Sequence, residues 1–582
     1  MPDPLAPAAL DARFARFREV RRVPGLAWGI IRDGRLEHSG GCGTSVDGED
    51  RPPDADTVFR IASMTKSFTA ATVLLLSDDG RLRLDDPVGE HVPELAAWAA
   101  PAADSPPVTL RRLLSMAAGL PTDDPWGDRQ QGLPLDRFAE LLAAGPVFAW
   151  PPGTTFEYSN LGYGILGRAV TRVAGEEYGD VVRKRLLAPM GMTASTFDEG
   201  AVDPDRLAHG YARLDDRLVR EGRDPYGALA SMGGLWTSVR DLAVWVSGFL
   251  DAFPARSDPE GPHPLRRSSR REMQQVQRSL PAFMPAHAPD APPAVVAGGY
   301  GFGLMIRHDP DLGTFVGHSG GYPGYGSNMT WHPATGLGVV VLTNLRYGRP
   351  SDIATEVLAD LVRDDAAPRR RPRPLPAVEA HRATVEHLLA GWDEAVADGA
   401  FAMNLDLDLP RAHRRAAIEA AVAAIGGPFH PDAARPATSE SAADVTWWLR
   451  GARGWLRLRI LVSPEPSPRI QALDVTAVGD PSPALVAAAG RLLAADRDSG
   501  AQPGPAVDVA RLERSRSAAL ARFGALRLGR PVGGDGRRET TWAVIAEDGG
   551  SLTLRLALDP DTGAVSDVEL LVAAREAPAE AW

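Results

Sequence analysis

At 582 residues the chain is long enough for about three or four domains of ~100–200 residues each. Its 44% hydrophobic and 24% charged residues suit a globular protein, and a net charge of -12 offers no footprint for nucleic acid. A single cysteine, Cys42, excludes an internal disulfide and a Cys-x-x-Cys metal cluster, and of 63 basic side chains only Lys66 and Lys184 are lysines.

Residues 5–22 are predicted to form an amphipathic helix with Leu10, Phe14 and Phe17 on one face, ended by Pro24-Gly25. Leu26–Arg32 and Arg35–Ser39 are expected strands, turned at Asp33-Gly34. Gly40-Gly41-Cys42-Gly43 follows as a turn. It is not a nucleotide loop, because no helix comes after it. Val58–Ser77 reads as one largely apolar helix, stopped at Asp78-Asp79-Gly80. Helical patterns dominate residues 81–250, and 252–298 is rich in Pro and Arg with little period. Strands are expected at Gly301–His308, Thr314–Gly317, Gly326–Trp331 and Leu337–Thr343, then a helix at Asp352–Val362. Strands at both ends of a helical block imply one antiparallel sheet with helices packed on it.

Residues 366–377, with the run Arg369-Arg370-Arg371-Pro372-Arg373, read as a linker. An internal repeat follows. Thr446-Trp447 recurs as Thr541-Trp542, and Leu456, Leu458, Ile460, Val462 recur as Leu552, Leu554, Leu556, Leu558. Ile470 and Leu473 correspond to Val565 and Val568. Each copy is preceded by helical sequence, so two helix-then-hairpin modules are expected, 378–478 and 479–582, after a first domain over 1–365. No apolar run approaches the ~20 residues of a membrane span. The N-terminus lacks the apolar core of a secretory leader, so a cytoplasmic protein is expected.

The chemistry is concentrated in three segments. In Phe59-Arg60-Ile61-Ala62-Ser63-Met64-Thr65-Lys66, the serine and lysine stand three apart, on one helical face. A serine hydroxyl needs a base to become a nucleophile, and a lysine becomes that base when burial and a helix dipole lower its pKa. Arginine cannot take this role, yet this Arg-biased chain has Lys here. Taken alone, the pair also fits a capping serine beside a surface lysine. Glu157-Tyr158-Ser159-Asn160 adds a Tyr-x-Asn ahead of a predicted helix, Leu161–Val173. Gly317-His318-Ser319-Gly320-Gly321 adds a His-x-Gly on a predicted strand.

Ser-x-x-Lys, Tyr-x-Asn and His-x-Gly in this order resemble the serine β-lactamase/penicillin-binding-protein-like superfamily. The class C-like branch, with its D-aminopeptidases, DD-carboxypeptidases and β-lactamase-fold esterases, is the best match. Val108–Pro121, Pro189–Thr193, Gly233–Leu242 and Gly317–Asn328 add to the resemblance, which covers roughly residues 10–365. It implies an α/β (α+β) fold: an antiparallel sheet flanked by helices, with an inserted helical subdomain at about 81–250, followed here by the duplicated modules. It implies that Ser63 attacks an acyl carbon, with Lys66 as first base and Tyr158 in the proton relay. The resemblance further implies that Asn160 would hold Lys66 and the substrate amide, that the N–H groups of Ser63 and Gly321 would form the oxyanion hole, with Gly320-Gly321 letting backbone approach the substrate, and that His318 would line the cleft from an edge strand.

Two departures stand out. His318-Ser319-Gly320 replaces Lys-Thr-Gly, so a fixed positive charge is missing where substrate carboxylates bind; this weighs against a dedicated β-lactamase. Ser115-Met116-Ala117-Ala118-Gly119 replaces the usual His-Thr-Ser-Gly. The expected function is a serine hydrolase acting on an ester, a small amide or a peptide, D-amino-acid peptides included. An acyl transferase or peptide cyclase, and a non-catalytic binding homologue, are the alternatives. No metal or cofactor is implied. The expected partners are a small-molecule or peptide substrate and, through the C-terminal modules, a second copy of the chain. Trp126, Tyr322 and Tyr325 could line the cleft or simply pack, Trp447, Trp448 and Trp542 are expected core, and Lys184 is expected at the surface.

Overall fold

Strands from both ends of the N-terminal region meet in one eight-stranded antiparallel sheet. The computed structural model describes residues 5–96, 98, 101–222, 224–283, 296–309, 312–364, 373–493, 509–546 and 551–572. In chain order the strands are β1 (Gly25–Arg32), β2 (Arg35–Gly43), β3 (Arg278–Phe283), β4 (Val296–Tyr300), β5 (Met305–Asp309), β6 (Gly313–Tyr322), β7 (Tyr325–His332) and β8 (Leu337–Thr343). Their order across the sheet is β2-β1-β8-β7-β6-β5-β4-β3.

Side-chain alternation builds two cores from one strand. Leu26, Trp28 and Ile30 of β1 and Leu337, Val339 and Val341 of β8 face α1 (Pro7–Arg21) and the helix Ser351–Arg363. Phe14 of α1 stacks on Trp28 at 4.7 Å. Ala27, Ile31, Val340 and Leu342 face the opposite core, which holds α2 (Thr65–Asp78), α3 (Asn160–Ala174) and α4 (Val239–Asp251). α2 lies inside this core, with twelve of its fourteen residues buried, the polar Thr65, Lys66, Ser67, Thr69 and Thr72 among them.

Several sequence expectations change. Val58–Ser77 is not one helix: Phe59–Arg60 pairs as a strand with Trp236–Thr237, Ala62–Met64 is a 3-10 turn, and α2 begins at Thr65. Ala62 takes φ 50, a left-handed angle that cannot extend a helix. Gly40–Gly43 is no turn; it continues β2, with the Trp28 indole over Gly40. The 81–250 block is not wholly helical. It contains the hairpin Tyr211–Leu214 with Arg217–Arg220, turned at Asp215-Asp216, both with positive φ. The aperiodic 252–298 stretch supplies β3 and the start of β4, and the strand expected at Gly301–His308 is broken by a turn at Gly303, φ 70.

The chain divides into two compact units, one built from Met1–Pro285 with Val295–Arg370, the other mainly from Arg371–Ala581. The second unit holds two duplicated α+β modules, each with a four-stranded antiparallel sheet. Register reproduces the repeat: Trp447 opposes Leu458 as Trp542 opposes Leu554. Trp447 and Trp542 are buried, as expected of core, whereas Trp448 is half-buried with Arg435 over its ring. The first module's opening helix starts at Pro376, inside the expected linker, because proline is accepted in a helix's first turn. Arg369–Pro372 lie outside the described residues. Among the described residues no helix is long and apolar enough to cross a membrane.

Candidate active site

The sheet and α2 meet at the turn that carries Ser63. The Ile61 N–H donates to Leu235 O at 3.0 Å, and Ile61 O accepts from Ser327 Oγ of β7 at 2.7 Å. The turn is therefore tied to the sheet on one side and to the approach of α4 on the other. Ser63 is partly exposed, and its N–H lies in the opening turn, where helical donors lack an intrahelical acceptor.

Lys66 lies one turn on and is fully buried. Its Nζ donates to Ser63 Oγ at 3.0 Å, Asn160 Oδ1 at 2.7 Å and Met232 O at 2.8 Å. Three acceptors match its three protons, and a lysine ammonium has no more to give. Burial pulls its pKa down from 10.5 to about 8, against the opposing pull of Asp124, Asp128 and Asp123. A base in this range is partly neutral near pH 7.

Tyr158 and Asn160 come from a loop and the helix it starts. The loop is clamped to the 115–119 segment: Gly153 N–H donates to Ala117 O, and Glu157 N–H to Met116 O. Met116 holds φ 56, and its sulfur receives the Ser159 N–H at 3.4 Å. Ser159 then caps α3, accepting from Gly162 N–H, while Asp123 accepts from the N–H groups of Asn160 at 2.6 Å and Leu161 at 2.8 Å. Asn160 is oriented by both ends of its amide, Oδ1 on Lys66 and Nδ2 on Asp124 Oδ1 at 2.8 Å. The Tyr158 ring lies 5.0 Å from Lys66 Nζ, and its hydroxyl hydrogen-bonds Ser63. Burial pushes the phenol well above its usual range, so it stays protonated.

The third wall is β6. Its pairing with β5 stops at Gly317↔Met305, so His318–Tyr322 runs on beyond the end of that neighbour. His318 thus sits on a local edge of a strand that is otherwise interior, a correction to the simple edge-strand expectation. Its Nδ1 lies 2.6 Å from Ser319 O and its Nε2 3.1 Å from the Tyr300 hydroxyl. A carbonyl only accepts, so Nδ1 carries the proton and Nε2 accepts from Tyr300. Burial and the Lys66 charge push the imidazole down to about 3, so it is neutral.

Ladder alternation aims the Gly321 N–H. Asn344 N–H donates to Gly25 O on β1, so the adjacent Thr343 faces β7 and its partner Gly326 faces β8. Gly326 therefore leaves Gly321 unbonded across the β6–β7 pair, with its N–H directed off the edge. A methyl at Gly320 would lie 2.2 Å from Ile61 O and 2.4 Å from Ser327 Oγ. The structural reason for that glycine is the close approach of β6 to the Ser63 turn. At Gly321 the obstacle is the Tyr347 ring, 2.5 Å away.

Ser63, Lys66, Tyr158 and Asn160 thus form one bonded cluster, with His318 beside Tyr158 at 6.3 Å between rings. Sequence reasoning missed Asp123, Asp124, Met232 and Tyr300. The Asp123-Asp124-Pro125 run had a readable helix-start signature; the Met232 carbonyl had none. Tyr322 and Tyr325 are packing residues: Tyr322 is buried under Arg60 with its hydroxyl on Asp224, and Tyr325 bonds Ala208 O. Trp126 remains exposed. Lys184 is half-exposed and paired with Glu176, as a surface lysine should be.

A family profile described as Beta-lactamase matches residues 10–363. The chain is 30% identical over 373 residues to "Penicillin-binding protein 4" of Amycolatopsis lactamdurans, covering 62% of this chain and 90% of that protein. It is 28% identical over 389 residues to "Esterase EstB" of Burkholderia gladioli, covering 61% and 94%. Among solved structures, the octameric penicillin-binding protein homologue from Pyrococcus abyssi shares the fold at TM-score 0.51 and 21% identity, over 97% of this chain and 98% of that one.

Proposed function

The chain belongs to the beta-lactamase family, whose serine-hydrolase chemistry is its own, and from that premise we propose that it cleaves an ester or a small amide or peptide bond through an acyl-enzyme on Ser63. D-amino-acid peptides fall within this class. The observation that carries the reading is the 3.0 Å bond between Ser63 Oγ and a buried Lys66 whose pKa lies at about 8.

The steps balance as follows. Neutral Lys66 takes the Ser63 hydroxyl proton as Oγ bonds the acyl carbon. The oxyanion that forms is held by the N–H groups of Ser63 and Gly321, donors fixed before the charge develops. Tyr158, still protonated, gives its proton to the leaving group as the scissile bond breaks and recovers one from the Lys66 ammonium. Water then attacks the ester, losing its proton to the same relay, and Ser63 is released. Asn160 keeps Lys66 in register and offers its amide to the substrate. Neutral His318 lines the cleft and holds Tyr300.

Ser63→Ala should abolish turnover of p-nitrophenyl esters and D- or L-aminoacyl amides, and labelling by a fluorophosphonate. Full activity in that variant sinks the proposal. Product mass separates hydrolysis from acyl transfer to an amine. A homologue that shares the fold is octameric, which supports self-assembly, and the C-terminal modules are proposed to carry it. Light scattering on the full chain and on a chain ending at Arg363 tests this; equal protomer numbers would refute it.

A further inference from the structure

We propose that Tyr347 and Asp128 form a strap across the catalytic cleft, admitting substrates that are slender where they pass Gly321. The proposal rests on the Ser63 reading and concerns which substrates that site takes.

Tyr347 follows β8, in the loop before the helix Ser351–Arg363. Its N–H donates to Tyr325 O at 3.2 Å, and its ring lies against Gly321, the strand residue whose N–H is directed off the edge. Its hydroxyl donates to Asp128 Oδ2 at 2.7 Å. Asp128 directly follows the short helix Asp124–Gly127. There a methyl on Gly127 would lie 2.8 Å from Asn160 Cβ. One side chain therefore joins the β6 wall to the wall that carries Asn160 and Lys66. Anything occupying the space over Gly321 must pass this ring.

Two further observations mark the residue as positioned. Tyr347 holds φ 48, a left-handed angle that bulky side chains avoid. It is also 48% exposed, so ring burial alone does not hold it there. Its loop is rooted by Arg346, paired with Glu221. Asp128 is 5% exposed and faces Tyr347, Asp124, Lys66 and Arg60. Burial holds its carboxyl up at about 6. Above that pH it accepts from the phenol as a charged partner, the stronger form of the bond; below it the strap weakens.

The test compares kcat/KM for p-nitrophenyl octanoate and acetate, with thermal unfolding to confirm folding. Tyr347→Ala should raise the octanoate-to-acetate ratio about tenfold or more, the scale on which pocket fit discriminates. Tyr347→Phe and Asp128→Asn, which keep the bulk but weaken the tie, should raise it roughly threefold. In the unaltered protein the ratio should rise between pH 8 and pH 5; in Asp128→Asn it should stay flat. Lys66 titration cancels in the ratio. An unmoved ratio in folded Tyr347→Ala, with turnover that depends on Ser63, overturns the strap alone. Turnover that is absent, or that survives Ser63→Ala, overturns the hydrolase reading and the strap with it.

Discussion

Replacing Asp124 with Asn tests whether Lys66 is the base, because it changes the charge near the amine and leaves the bonding pattern in place. Asp124 Oδ1 accepts from Asn160 Nδ2 at 2.8 Å, and Asn160 Oδ1 accepts from Lys66 Nζ at 2.7 Å. With the amide between them the two charges lie about 7 Å apart, where an effective dielectric of about 20 gives about 2.4 kcal/mol. That upper figure equals about 1.7 pK units at 1.36 kcal/mol each. Asp124 is exposed, so solvent screening brings the expected change down to about 0.5–1 unit. The sign is fixed: Asp124 raises the Lys66 pKa, so removing its charge lowers it. The rate needs neutral Lys66, so the acid limb of the kcat/KM profile should move from about 8 toward about 7. At pH 7 the neutral fraction rises from about a tenth to about a half at most, and the rate should rise up to about fivefold. The plateau above pH 9 should hardly change, because an asparagine oxygen still accepts from Asn160. A limb that stays put or moves to higher pH would falsify the assignment of Lys66 as base.

In the proposed relay, Tyr158→Phe removes the proton donor and leaves the base. The value of kcat should fall by a factor on the order of 10²–10⁴, while the Lys66 limb near 8 persists in the pH profile. Gly320→Ala places a methyl 2.2 Å from Ile61 O, a backbone atom with no room to retreat. Melting should show a loss of about 1–3 kcal/mol, and kcat/KM should drop with it as the Ser63 turn is pushed aside. An unchanged melt would mean that β6 does not press on this turn.

The legible parts of the molecule are those where spacing alone fixes geometry. A spacing of three positions puts Ser63 and Lys66 on one face whether the turn is α or 3-10, so the pair survived the misread start of α2. The repeat survived because Trp447 and Trp542 occupy equivalent ladder positions, and period-2 burial is set by the strand itself. Residues defined by tertiary approach were not legible. The Met232 carbonyl reaches Lys66 across 166 positions, and the Tyr347 hydroxyl reaches Asp128 across 219. The family resemblance gives Gly320 to substrate approach, whereas the atoms that exclude its side chain belong to Ile61 and Ser327. The β3 strand escaped notice because its segment Arg278–Phe283 includes Pro281, a residue confined to sheet edges, and β3 is indeed an edge.

Charge around the cluster predicts a bias among substrates of the proposed hydrolase. The position that holds a lysine in carboxylate-binding relatives is His318, which burial keeps neutral down to about 3. Arg60 is a nearby cation, but its Nε donates to Gly233 O, its guanidinium lies 3.7 Å over Tyr322, and Asp224 stands 3.9 Å away. Across the cleft are Asp123, Asp124 and Asp128, all close enough to act on Lys66. Arg60 Nη2 makes no hydrogen bond, but the side chain is only 2% exposed, so an incoming carboxylate meets chiefly the negative charge of the acidic wall, and like charge disfavours binding by Coulomb's law. Neutral esters and amine-bearing amides meet no such barrier. In a panel of both with an anionic chromogenic cephalosporin, the cephalosporin should have the lowest kcat/KM, and its disadvantage should shrink as salt screens the acidic wall. A cephalosporin turned over faster than the neutral esters, at any ionic strength, would show that another group supplies the missing positive charge.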